Sequence, residues 1–163
     1  MEQVQYVREK VLVLETAIDD LNPEFYPYVI DRLLAKGALD AYLKPVVMKK
    51  GRPGVMLTVL TRDNNQDMDR VLTVIFSETS TLGVRVRTER RFCLYRGFLT
   101  VSTPHGPVRV KTAFTVDDEK PARFKPEFED CKALALKNNI PLQEVYNAAL
   151  LAAEQSTVLK NED

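Results

Sequence analysis

The chain has 163 residues, 45% of them apolar, and its 23 basic and 23 acidic side chains cancel. That length fits one compact domain, or one domain with a small attached unit. The neutral balance excludes recruitment of nucleic acid or membrane by a global field, so anion binding must come from a local basic cluster. No apolar run nears the roughly 20 residues of a membrane span.

The first ten residues are polar and charged, without the apolar core of a signal peptide. Cys93 and Cys131 stand far apart and match no metal-ligand spacing, as expected of reduced thiols in a cytoplasmic protein. Val11–Ile18 reads as a buried strand, because Val11, Leu12, Val13 and Leu14 run consecutively and are mostly β-prone. Asn22-Pro23-Glu24 opens a helix, with Asn as N-cap, Pro in the first turn and Glu complementing the dipole. Tyr26, Val29, Ile30, Leu33 and Leu34 continue it at helical spacing, and Gly37 ends it as a C-cap. Leu39–Met48 is a second strand, Lys49–Gly54 a loop and Val55–Leu60 a third strand. Met68, Val71, Leu72, Ile75 and Phe76 predict an amphipathic helix over Gln66–Glu78, followed by a fourth strand over Leu82–Thr88.

That order is β-α-β-β-α-β, a ferredoxin-like plan spanning residues 1–90 of an α+β protein. Right-handed crossovers place the first and third strands in the centre of an antiparallel sheet. Following the chain direction, three segments then meet at one sheet edge: Glu15–Glu24, Lys49–Gly54 and Glu78–Gly83.

Residues 91–155 differ in style. Arg91–Ser102 and Pro107–Thr115 form a β-hairpin around the Thr103-Pro104-His105-Gly106 turn. Val116–Lys125 reads as a loop, and Pro126 and Pro141 open two C-terminal helices. This segment is short for a core of its own and is expected to pack on the ferredoxin-like unit or on a neighbouring subunit. Residues 156–163 form a polar tail expected to fray.

Two clusters at the shared edge carry chemistry. Lys49, Lys50 and Arg52 stand in a loop whose glycines let backbone amides approach an anion, which suits phosphate. A Lys-rich hairpin tip is otherwise plain solvated surface. Asp19 and Asp20, with Glu15 as a further candidate, offer hard oxygen donors to a divalent cation, or else cap the helix. Thr79 and Ser80 offer hydroxyls to phosphate or ribose, or else satisfy open carbonyls at the helix end. Arg85 and Arg87 share a strand face, as do Arg109 and Lys111. Arg123 and Lys125 flank Phe124, which is either a base-stacking ring or a core anchor. The lone His105 sits in a turn and is assigned no role. No nucleophile–base set, Walker loop, dinucleotide fingerprint or CxxC occurs, which disfavours a nucleophilic hydrolase.

Four motifs occur in order: Glu15-Thr16-Ala17-Ile18-Asp19-Asp20-Leu21-Asn22-Pro23-Glu24, Lys49-Lys50-Gly51-Arg52-Pro53-Gly54, Glu78-Thr79-Ser80-Thr81-Leu82-Gly83-Val84-Arg85 and Lys125-Pro126-Glu127-Phe128-Glu129-Asp130. Together they resemble the C-terminal half of the LarC family, over roughly Leu14 to Ala153. The resemblance implies a nickel insertase that places Ni(II) into pyridinium-3,5-bisthiocarboxylic acid mononucleotide, completing the nickel-pincer cofactor of lactate racemase. It further implies use of CTP with Mn²⁺ or Mg²⁺, cleaved to CMP and pyrophosphate, and a homo-oligomer, trimer or hexamer. The His-rich N-terminal region of that family has no counterpart here, so the chain reads as the CTP-binding part.

On this expectation Lys49, Lys50 and Arg52 neutralise phosphates, with Lys49 and Arg52 acting on the leaving charge. Asp19, Asp20 and Glu15 hold the cation, while Thr79, Ser80, Lys111, Arg123 and Lys125 are further nucleotide contacts. Two rival readings stand beside it. One is a non-catalytic nucleotide-sensing or oligomerisation module. The other is single-stranded RNA binding on the sheet, which neutral charge and sparse aromatics oppose.

Overall fold

The computed structural model describes residues 6–114 and 123–158. The chain divides into two compact units, Arg8–Arg91 and Phe92 onward together with the residues before Arg8.

The N-terminal unit is built from β1 (Val7–Ile18), α1 (Tyr26–Ala35), β2 (Asp40–Val47), β3 (Pro53–Arg62), α2 (Asn65–Glu78) and β4 (Arg85–Cys93). Its sheet order is β2-β3-β1-β4, with β1 and β3 central, as the sequence predicts for a ferredoxin-like plan. Registers are set by alternation. Leu12, Leu14 and Ile18 of β1 and Leu57 and Val59 of β3 join Tyr26, Val29 and Leu33 of α1 and Val71, Val74 and Ile75 of α2 in one core.

Local signals start and stop the helices. The Asn22 side chain accepts from the Glu24 amide at 3.1 Å, but it caps a 3₁₀ turn at Pro23–Phe25 that leads into α1. Gly37, at φ +99°, ends that segment in the left-handed region that glycine tolerates. Asn64 caps α2 through the Asp67 amide at 2.8 Å. Asp67 in turn accepts from Asn64 and Arg62, which hold its carboxyl below the usual carboxylate range. The fourth strand starts at Arg85, three residues later than expected; Leu82, at 98% exposure, belongs to the link that precedes it.

The C-terminal unit is a three-stranded antiparallel sheet, β5 (Tyr95–Thr103), β6 (Gly106–Phe114) and β7 (Arg123–Pro126), with α3 (Phe128–Asn138) and α4 (Leu142–Val158). Here three sequence readings are corrected. Arg123–Pro126, expected to be loop and helix start, is a strand paired with β6, and the helix opens at Phe128. Pro126 is tolerated because β7 is an edge strand, where a missing amide donor breaks no central ladder. Ser156 lies within α4 rather than in a tail, and residues 115–122 and 159–163 lie outside the described residues. The unit has a core of its own, in which Val101, Val108, Val110, Cys131, Ala135, Val145, Ala149 and Ala153 are buried. Phe124 packs against it, so it is an anchor rather than a free stacking ring. Burial pushes the Cys131 thiol pKa up, as suits an inert core thiol.

Asp130 of α3 fastens helix to sheet. It accepts from Arg109 Nε and Nη2, both at 2.8 Å, and from the Arg109 amide at 3.0 Å. These donors lower its pKa from 3.8 to about 2. A depressed carboxylate stabilises the fold fully above its unfolded value and loses that contribution as pH falls through the folded one. The melting-temperature gap between wild type and Asp130→Asn is therefore expected to be constant above pH 5 and to close towards pH 2. A gap of the same size at pH 2 and pH 6 rules the linkage out.

Among the described residues, Thr61 Oγ1 is the buried side-chain polar atom without a hydrogen-bond partner. An unsatisfied buried hydroxyl costs about 1–3 kcal/mol, and an apolar group of the same shape removes the cost. Thr61→Val is expected to raise the urea midpoint by the equivalent of about 1 kcal/mol, and a lowered midpoint contradicts this.

Candidate functional site

The site edge is set by strand pairing. β1 and β3 run antiparallel until Ile18 faces Val55, and β2 and β3 until Val47 faces Pro53. The ends of β1 and β2 and the start of β3 thus lie on one edge of the sheet. The link after α2 reaches the same edge, because buried Thr16 of β1 is hydrogen-bonded to the Thr81 hydroxyl and donates to the Gly83 carbonyl at 2.9 Å. The convergence expected from the topology is therefore present within one unit.

Side chains from the three segments touch. Arg52 Nη1 lies 3.4 Å from Asp19 Oδ2, and the Ser80 hydroxyl is hydrogen-bonded to Asp20 Oδ1. Lys49 and Lys50 are exposed, and among the described residues neither has an ion-pair or hydrogen-bond partner. The turn between β2 and β3 is tight rather than open. It forms a 3₁₀ turn over Lys49–Gly51, closed by the Met48 amide donating to the Arg52 carbonyl at 2.8 Å. Lys50, at φ +64°, is in the left-handed region that non-glycine residues rarely enter, and Gly51 follows at φ +71°. Such strain is about 1–3 kcal/mol and persists where the surroundings enforce it.

Chemically, the edge presents three cations, two carboxylates and a hydroxyl. Exposed Val47 and Leu82 stand beside them, 80% and 98% exposed. The Arg52–Asp19 contact is long and exposed, and such pairs contribute little, so the guanidinium is easily redirected to an incoming anion.

Of the other predicted site residues, Glu15, Thr79 and Lys111 have different partners. Glu15 is not gathered with Asp19 and Asp20. It accepts from Arg87 Nη1 at 2.6 Å and Thr58 Oγ1 at 3.3 Å, and the Arg87 guanidinium holds its carboxyl below the usual range. Thr79 donates to the Ile75 carbonyl at 2.7 Å and so closes the end of α2 instead of facing a ligand. Lys111, Arg123 and Lys125 belong to the C-terminal unit, where Lys111 is ion-paired with Glu127 at 2.7 Å. Among the described residues, no group of three or more His, Cys, Asp or Glu side chains forms a metal site. Asp19 and Asp20 alone still suit Mg²⁺ or Mn²⁺ that arrives on a polyphosphate, since such ions take one or two protein carboxylates and fill their sphere with phosphate and water.

A profile of nickel insertion proteins matches residues 1–146. The chain belongs to the nickel insertion protein family. It is 44% identical over 152 residues to the pyridinium-3,5-bisthiocarboxylic acid mononucleotide nickel insertion protein of Acetivibrio thermocellus, covering 91% of this chain and 36% of that protein. With the like-named protein of Clostridium kluyveri it shares 44% identity over 138 residues, covering 85% and 34%. The chain thus spans about a third of the length of these curated relatives. Among solved structures it resembles the apo C-terminal domain of a cyclometallase involved in synthesis of the NPN cofactor of lactate racemase. That likeness has a TM-score of 0.78 at 42% identity and covers 91% of this chain and 99% of that domain. A protein of Methanopyrus kandleri matches with a TM-score of 0.63 at 26% identity, covering 92% and 91%. This chain therefore corresponds to the C-terminal domain of the family.

Two positioning roles in this family member escaped the sequence reading. Thr16 ties the link after α2 to β1, and its only sequence signal is a hydroxyl inside an apolar strand. Gly54 lets the basic turn sit against β1. A Cβ there would stand 2.6 Å from Met48 Sδ and 2.9 Å from the Ile18 carbonyl oxygen. Because one of those atoms is backbone, Gly54→Ala must push strand from turn, at a cost of about 1–3 kcal/mol. Urea unfolding is expected to register that loss, and an unchanged midpoint contradicts the close approach.

Proposed function

We propose that this chain is the nucleotide-handling C-terminal part of a nickel insertase, which places Ni(II) into pyridinium-3,5-bisthiocarboxylic acid mononucleotide for the pincer cofactor of lactate racemase. It binds CTP with Mn²⁺ or Mg²⁺ at the shared edge of the N-terminal unit. The observation that carries this reading is the 3.4 Å approach of Arg52 to Asp19, which brings phosphate-binding and cation-binding chemistry together.

Lys49, Lys50 and Arg52 take the phosphates, with Arg52 exchanging Asp19 for a phosphate oxygen. Arginine suits this through its fork of donors, and the lysines act as compact point charges. Ser80 holds Asp20 and is placed to donate to a phosphate or ribose oxygen. When bound, the divalent cation neutralises phosphate charge and orients the leaving group. Water attack at the α-phosphorus of CTP breaks the α–β bridge and yields CMP and pyrophosphate. Lys49 and Arg52 stabilise the negative charge that collects on the departing pyrophosphate. Nickel is substrate here, and its delivery and the completed insertion involve the longer protein that the relatives represent.

Isothermal titration with MgCTP tests the assignment. Each charge-assisted contact to phosphate contributes about 1.5–3 kcal/mol, so Lys49→Ala and Arg52→Ala are each expected to weaken binding tenfold or more. Unchanged affinity in both variants removes the site. Binding without release of CMP and pyrophosphate favours the sensing or assembly reading.

A further inference from the structure

One arginine of β4 has no acid to hold. Arg85, Arg87 and Arg91 stand an even number of positions apart and so share one face of the strand. Arg87 donates to Glu15 at 2.6 Å and to Glu89 at 2.7 Å, and Arg91 donates to Glu9 at 2.9 Å. Arg85 is exposed and has no acidic partner among the described residues; its Nη2 rests 3.5 Å from Met56 Sδ. A thioether is a weak acceptor, so a guanidinium held there is readily drawn to a stronger one.

Met56 fixes where that guanidinium sits. It pairs with Ala17 on one side and Lys44 on the other, so the three lie in one row across the sheet. That row is on the face opposite the core residues Leu14, Ile18 and Leu57. Asp19 is two residues beyond Ala17, roughly 7 Å further along the strand direction. An arginine side chain sweeps that far. The backbone that carries Arg85 is pinned, because the Gly83 carbonyl accepts from Thr16 at 2.9 Å and from Thr81 at 3.1 Å. A fixed main chain with a movable, unengaged head group reduces the ordering needed to clamp a ligand.

Charge balance at the edge gives this cation a task. Lys49, Lys50 and Arg52 less Asp19 and Asp20 leave one positive charge, and a divalent cation raises it to three. A nucleoside triphosphate brings about four negative charges and a monophosphate about two. The edge alone therefore suits the monophosphate and falls one charge short for the triphosphate. We propose that Arg85 is a specificity-determining residue of this edge. It swings from Met56 to the far end of a triphosphate chain and selects triphosphate over monophosphate. This deepens the CTP reading above and rests on it. CMP, once formed, lacks the Arg85 contact and is held less tightly than the nucleotide that entered. A plain solvated arginine on a polar sheet face would show no preference among phosphate chains.

Isothermal titration of the whole chain in Mg²⁺ tests this with CTP, CMP and tripolyphosphate, which has the phosphate chain without a nucleoside. Arg85→Gln is expected to weaken CTP and tripolyphosphate about tenfold each and CMP less than about twofold, with the melting temperature unchanged. Arg85→Lys keeps the charge without the fork and is expected to recover part of the loss. Arg87→Gln, which strips Glu15 of its main partner, is expected to lower the melting temperature and leave the ratio of CTP to CMP affinity as it was. Equal effects of Arg85→Gln on all three ligands, or none on any, overturn the proposal. If Arg85→Gln changes nothing while Lys49→Ala and Arg52→Ala weaken CTP, the CTP reading stands and Arg85 falls. If Arg85→Gln acts selectively while those two variants leave CTP binding intact, the basic-turn assignment falls and Arg85 stands. A wild type that binds neither CTP nor tripolyphosphate overturns both.

Discussion

The antiparallel pairing of β1 with β3 is the constraint on which the N-terminal unit depends. Its register buries Leu14 and Leu57 completely, and a slip of one residue would turn those side chains out of the core. The same register fixes where the strands stop, so Asp19 and Asp20 emerge beside the turn that carries Lys49, Lys50 and Arg52. Stability and site are thus two consequences of one ladder. Charges that are dozens of positions apart in the chain become neighbours without any contact evolving between distant surfaces.

The edge is held in place by uncharged chemistry. Thr16 anchors the link after α2, Gly54 admits the basic turn to within contact of the Ile18 carbonyl, and Thr79 closes the helix beside them. The charged groups carry little structural duty: Arg52 and Asp19 share one weak contact, and Asp20 is hydrogen-bonded to Ser80. That division explains how Lys50 keeps a left-handed backbone: the closed turn around it leaves little alternative.

Much of this was legible in the sequence because the signals are local or topological. The Asn22 cap, the Gly37 stop and the apolar periodicities mark the elements, and right-handed crossovers then dictate the edge. What escaped has a physical reason in each case. Strand β7 has only four residues, two of them cationic and one proline, so neither periodicity nor propensity announces it; only pairing with β6 makes it a strand. Glu15 was grouped with the acidic cluster by proximity in sequence. Strand geometry places it four residues back along β1, where Arg87 and Thr58 occupy its carboxylate. Partners contributed by other strands cannot be read from spacing alone.

The account's central claim is that one ligand gathers the carboxylates and cations of this edge. Amide chemical shifts of the isotope-labelled chain, followed during titration with MgCTP and then with MnCTP, address it most directly. The claim predicts shifts confined to residues 18–20, 48–54 and 79–83, with paramagnetic broadening by Mn²⁺ centred on Asp19 and Asp20. Perturbation elsewhere in the chain, with those amides unmoved, would contradict it.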